Sequence, residues 1–97
     1  MSEVSKQQKA FYRKLYLAHL ISTDKHNIPS LEDFTGMPRR TIQDCLKSIG
    51  DLNIVCHFTP SEGQRHNHGF LTIDDWGAIN PQWVKKNILH IQRTLES

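Results

Sequence analysis

The 97-residue chain has no apolar run approaching the ~20 residues that a membrane span requires, and its amino-terminal MSEVSKQQK lacks an apolar signal region. It is therefore expected to stay in the cytoplasm. Cysteine is scarce: Cys45 and Cys56 both fall on predicted core-facing positions, which reads as two small buried hydrophobes in a reducing compartment rather than a redox pair. Excess charge is lacking too. A net charge of +2 and a pI near 8.7 fall short of the usual profile of a nucleic-acid binder, for which about pI 9 or more is the easy case. There is no phosphate-cradling glycine loop, no nucleophile elbow, no HExxH and no carboxylate pair placed in an evident cleft, so neither an enzyme nor a cofactor is expected. Six histidines do not change this. Cys56 and His57 are adjacent on a predicted strand and point to opposite faces, while His66 and His68 share a face in a polar loop; no closed metal site is expected.

What is present is an ordinary globular composition, 37% hydrophobic and 23% charged, in a length that suits one domain with one modest core. The most informative stretch is Ser30 to Gly50, SLEDFTGMPRRTIQDCLKSIG. Ser30 is placed to cap a short helix, with Asp33 in the capping-box position and Leu31 and Phe34 as its apolar side. Thr35-Gly36-Met37 then stops it. Pro38 suits the first turn of a second helix, about residues 38–49, in which Ile42, Cys45, Leu46 and Ile49 follow at the i, i+3, i+4, i+7 spacing of one buried face. Gly50 is expected to end it. At 100° per residue this stripe leaves Arg40, Gln43, Asp44 and Lys47 outward, with Arg39 at the edge. These are groups able to reach base edges or hold a phosphate: arginine pairs with guanine, glutamine with adenine, and lysine or threonine with the backbone.

Asn53 to Thr59 (NIVCHFT) and Gly69 to Ile73 (GFLTI) are strand-like, and Pro60 to His68 between them is polar. Alternation puts Ile54, Cys56 and Phe58 on one face and Val55 and His57 on the other, with Leu71 and Ile73 inward from the return strand. A hairpin directly after such a helix is a wing. From about Lys9 to Ile73 the chain resembles the winged helix-turn-helix family, in the order helix, short Ile28-Pro29 strand, helix, turn, recognition helix, wing. The resemblance is to the small stand-alone regulators of bacteria. It implies a mainly α fold with a small β-hairpin: a three-helix core plus wing (wing at 53–73, core at 1–79) and an additional C-terminal helix at 80–97. It also implies DNA contact by Arg39, Arg40, Thr41, Gln43 and Lys47 in the major groove, and by Gln64, Arg65 and His66 at the wing tip on the backbone or minor groove.

Charge distribution agrees with two basic surfaces. Residues 5 to 25 carry Lys6, Lys9, Arg13, Lys14 and Lys25 against Asp24, and residues 38 to 50 carry Arg39, Arg40 and Lys47 against Asp44, while acid collects in Glu32, Asp33, Asp74 and Asp75. Phosphate contact is expected at the first and recognition helices, weakening steeply with salt. Phe11, Tyr12, Leu15, Tyr16, Ala18 and Ile21 form the stripe of a first helix between Ser5 and Ser22; Leu17 and Leu20 widen it beyond what a small core demands, as a surface for a partner. After Asn80-Pro81, Val84, Ile88, Ile91 and Leu95 recur at four-three-four spacing, with Trp83 and Leu89 alongside. This stripe either folds back on the first helix of its own chain or meets a second chain across a two-fold axis. Trp76 is expected to plug the gap between wing and last helix.

The expectation is a sequence-specific DNA-binding protein, a homodimeric transcriptional regulator joined through Val84, Ile88, Ile91 and Leu95. The alternative is a winged helix used as a protein-interaction module without DNA, motivated by Asp44, by Glu62 in the wing and by the apolar surfaces of the terminal helices. A third reading, a ligand-sensing regulator, places a small-molecule pocket between those helices.

Overall fold

The computed structural model describes residues 5–59 and 69–96. Helix α1 (Lys6–Thr23) begins at Ser5, whose hydroxyl accepts the Gln8 N–H at 3.0 Å. It is buried on two opposite sides. Leu15 and Leu17 are about 200° apart around the axis, and both are fully covered. Leu17, Leu20 and Ile21 join Leu31, Ile42, Cys45 and Leu71 in one cluster; Tyr12 and Leu15 join Val84 and Ile91 in another. Leu17 and Leu20, expected to cover a partner, are core residues because α1 is the central helix of the fold rather than one of its walls.

Helix α2 (Ile28–Thr35) is capped three residues before the expected position. Asn27, not Ser30, is the N-cap: its side chain accepts the Ser30 N–H at 2.9 Å, and the Ser30 hydroxyl accepts the Asn27 N–H at 2.8 Å. Ile28 and Pro29 therefore form the first helical turn, where proline needs no N–H, and not a strand. The strand-like pairing falls earlier, at His26, whose carbonyl accepts the Leu71 N–H at 2.6 Å. Leu31 is buried, but Phe34 stands 60% exposed with its ring edge-on to His26. Gly36 closes the helix in the left-handed region at φ 74°.

Helix α3 (Arg39–Ser48) has Pro38 as its N-cap, one position before the first-turn place expected for it. Ile42, Cys45 and Ile49 are buried and Leu46 is half-buried against them, as the spacing requires. The helix does not end at Gly50. It tightens into a 3-10 turn over Ile49–Leu52, and Asn53, at φ 63°, reverses the chain.

Strands β1 (Val55–Thr59) and β2 (Phe70–Asp75) pair antiparallel, with Cys56 opposite Ile73 and Phe58 opposite Leu71. Strand β2 lies between β1 and the His26 bridge, and it packs on α1. Leu71 is consequently buried, while Phe58, opposite it on the outer strand, is 46% exposed and does not join Ile54 in the core as expected.

The link to the last helices docks on the 3-10 turn, with the Ala78 N–H donating to the Leu52 carbonyl at 2.9 Å. Gly77 is required here. It sits at φ 59°, and a Cβ would collide with the Asn53 carbonyl. Trp76, one residue past β2, is half-buried against the second cluster, where Ile79 and Ile88 also pack. The single C-terminal helix of the expectation is two, α4 (Pro81–Lys86) and α5 (Ile88–Glu96). Asn87 interrupts it: its backbone and side-chain N–H groups donate to the Trp83 carbonyl at 3.0 and 2.8 Å. Both helices fold back on α1 of the same chain. Val84 and Ile91 are 0% exposed there, with Ile88 and Leu95 packed against the same cluster. No surface of Val84 or Ile91 is left to meet a second chain, so the four-residue dimer contact expected through this stripe is not available as drawn.

Among the described residues no helix is long and apolar enough to cross a membrane.

Candidate nucleic-acid interface

The two faces of α3 do different work. Its inner face anchors the helix through Ile42, Cys45 and Ile49, and its outer face presents Arg39, Arg40, Gln43, Asp44 and Lys47 exposed, with Thr41 half-buried at the margin. Burying each large apolar side chain contributes about 1.5–3 kcal/mol, enough to hold the backbone firmly while the outer groups stay free to bind. The outer groups are placed as the sequence spacing requires.

The amino end of α3 adds a feature that spacing does not reveal. Pro38 offers no side-chain cap, no acidic residue occupies the first turn, and Arg39 and Arg40 are there instead. Two cations at the positive end of a helix dipole oppose the usual preference by about 0.3–1 kcal/mol each. An anion placed at this end answers both the uncapped N–H groups and the guanidiniums. Helix N-cap preference was the available signal: proline in the cap position followed by two arginines is a poor start for a merely structural helix.

The two basic segments of the chain meet. A cleft of about 260 Å³ separates Ala10, Arg13 and Lys14 of α1 from Thr41, Asp44 and Ser48 of α3. The Cys45 thiol in this cleft is pushed above its usual pKa, chiefly by burial, with Arg13 and Lys14 pulling it back and Asp44 adding to the rise. Cys56 is raised as well, by burial first and by Asp74 second. Both thiols are free; Cys45 is buried, while Cys56 is half-buried rather than fully covered as expected. Lys25 is at the other end of α1, its ammonium 5.2 Å from the centroid of the Phe70 ring, and does not join the α3 surface.

The wing-tip residues Gln64, Arg65 and His66, together with Glu62 and His68, lie outside the described residues. At the described base of the wing, His57 pairs with Asp74, and the Thr72 hydroxyl lies 3.2 Å from the His57 Nε2. Among the described residues no group of three His, Cys, Asp or Glu side chains could hold a metal ion. His26 is used structurally, its Nδ1 3.0 Å from the Ser30 hydroxyl.

A family described as winged helix-turn helix matches residues 6–95. The crystal structure of a DUF2131 family protein from Shewanella amazonensis SB2B is 46% identical and superimposes with a TM-score of 0.89, over 97% of this chain and 90% of that one. Among curated proteins no match is found. The family is typically non-enzymatic, and its fold suggests DNA binding in general. With helix, helix, turn, helix and hairpin in register over nearly its whole length, the chain belongs to the winged helix-turn-helix family.

Proposed function

We propose that the protein is a sequence-specific DNA-binding transcriptional regulator acting in the cytoplasm. The observation that carries this reading is the outer face of α3, where Arg39, Arg40, Gln43 and Lys47 project from a helix pinned by its opposite side. Arg40 and Gln43 read base edges; Arg39, Thr41 and Lys47 hold phosphates; Gln64, Arg65 and His66 reach the backbone or minor groove from the wing. Lys14, beside α3, adds a phosphate contact from α1.

A homodimer belongs to the proposal because two recognition helices suit a palindromic site. Its contact lies outside Val84 and Ile91; Trp83, 44% exposed, is the large apolar side chain that α4 offers. The rival reading, a protein-interaction module, loses the support it drew from Leu17 and Leu20, since both are buried. Asp44 on the α3 face, the modest net charge of +2, and the exposed Trp83 and Leu89 of the last two helices still favour it.

The test is Arg40→Ala and Gln43→Ala in equilibrium binding to duplex DNA. Each should cost about 1–3 kcal/mol on a preferred sequence and relax the preference at one position. Unchanged affinity and preference in both variants would remove α3 as the reading element.

A further inference from the structure

An open groove of about 530 Å³ runs between α1, the end of α2 and α5. That volume is in the range of small-molecule sites. Phe34 and Leu89 line it, 60% and 66% exposed, the two most exposed of the large apolar side chains among the described residues. Their exposure is unfavourable, and it is concentrated in one place. Arg13 and Arg93 line the same groove, opposed among the described residues only by the Glu96 carboxylate. Neither guanidinium has an ion-pair partner among the described residues. A second copy of the chain would bring the same surplus of positive charge to the contact, so the groove is not self-complementary. The occupant that answers both halves of the wall carries an apolar body and a negative head.

We infer that this groove binds a small amphiphilic anion, a carboxylate or sulfonate on an aromatic or aliphatic body, with the head on Arg13 and Arg93 and the body on Phe34 and Leu89. Guanidinium suits such a head because its fork matches the anion's oxygens. Tyr16 supports the floor, held by Gln92, whose amide donates to the phenol oxygen at 3.3 Å.

The site is joined to the recognition helix in two ways. Thr35 and Met37, which flank Gly36 in the turn before α3, line the groove, and the Met37 N–H donates to the Thr35 hydroxyl at 3.1 Å. Arg13 lines both this groove and the cleft beside Thr41 and Asp44. An anion that draws Arg13 into the groove takes positive charge from the α3 side and weakens DNA binding. This coupling rests on the DNA-binding reading; the site itself does not.

The experiment is a fluorescence titration of the full chain with anilinonaphthalene sulfonate, an aromatic body with one anionic group. The expected result is saturable binding at one site, weakened about tenfold or more by Arg13→Gln with Arg93→Gln, weakened similarly by Leu89→Ser, and unchanged by Lys86→Gln on α4. Neutral phenylnaphthylamine should bind at least about tenfold more weakly than the sulfonate. If the double variant fails to fold by circular dichroism, Arg93→Gln alone, on the exposed side of α5, makes the same comparison. Equal affinity in the arginine variants, or equal affinity for the neutral probe, overturns the inference. So does probe binding that disappears as protein concentration rises while sedimentation shows a dimer, because the occupant is then a second copy. Saturating probe should raise the dissociation constant for DNA; an unchanged constant overturns the coupling. A chain that binds no DNA at all leaves the probe titration fully decisive for the site.

Discussion

The two sides of α1 are built differently. On one side Leu17, Leu20 and Ile21 meet α2, α3 and the hairpin, and seven buried side chains form a continuous cluster. On the other side Tyr12 and Leu15 meet only Val84 and Ile91 of the last two helices, with a rim of half-buried residues around four buried ones. The first side holds α3 in position; the second covers α1 and carries the more exposed surface. The difference teaches where stability and binding separate: damage to the first side should cost both, while changes on the outer face of α3 should cost binding alone.

The largest effect on stability is expected from Leu17→Ala. It opens a cavity in the deeper cluster and should cost about 2–5 kcal/mol in urea unfolding. Gly77→Ala strikes the joint between the two sides. Left-handed strain of about 1–2 kcal/mol adds to a collision with the Asn53 carbonyl, so its loss should exceed that of Gly36→Ala, where strain acts without a collision. Equal losses at the two glycines would show that the link does not dock as described. Val84→Ala, in the smaller cluster, should cost about 2 kcal/mol and leave α3 competent once the protein is folded. A Val84→Ala loss above that of Leu17→Ala would reverse the comparison.

Arg40→Ala sharpens it from the other direction, with a change in unfolding free energy within about 0.5 kcal/mol while DNA affinity falls. The smallest effect belongs to His19, whose protonation is opposed by its surroundings. Its pKa is held below the usual value, first by burial and then by Lys85 of α4. The folded state therefore binds this proton less readily than the unfolded chain does. Stability from this group is present above pH ~6.5 and declines as pH falls through that value toward the lower folded pKa. His19→Gln should flatten the decline in thermal melts between neutral and mildly acidic pH; an unchanged profile would assign it to another group.

Much of this was legible in the sequence, and the failures have physical causes. Ile42, Cys45 and Ile49 declared the inner face of α3, and with it the outward placement of Arg40, Gln43 and Lys47, because a helix that meets all its neighbours through one face shows one stripe. Helix α1 has partners on two sides, so its second stripe, Leu17 and Leu20, looked like surplus. Ser30 and Asn27 are both capping residues three apart in a reciprocal box, and composition alone does not say which is the cap and which the third helical position. The break at Asn87 was hidden because the four-three-four apolar spacing runs through it undisturbed. In the sequence Arg13 is one charge in a basic stretch; its place beside both α3 and the groove depends on how α1 and α3 pack.

The most direct measurement is selection of the purified chain against a randomised duplex pool at two salt concentrations, followed by sequencing. A defined sequence should be enriched at both, as an inverted repeat with half-sites about 10 bp apart, and affinity for it should fall steeply as salt rises. Recovery of sequence-blind, salt-labile binding, or of none, would contradict the account and leave the winged helix as a surface for another protein.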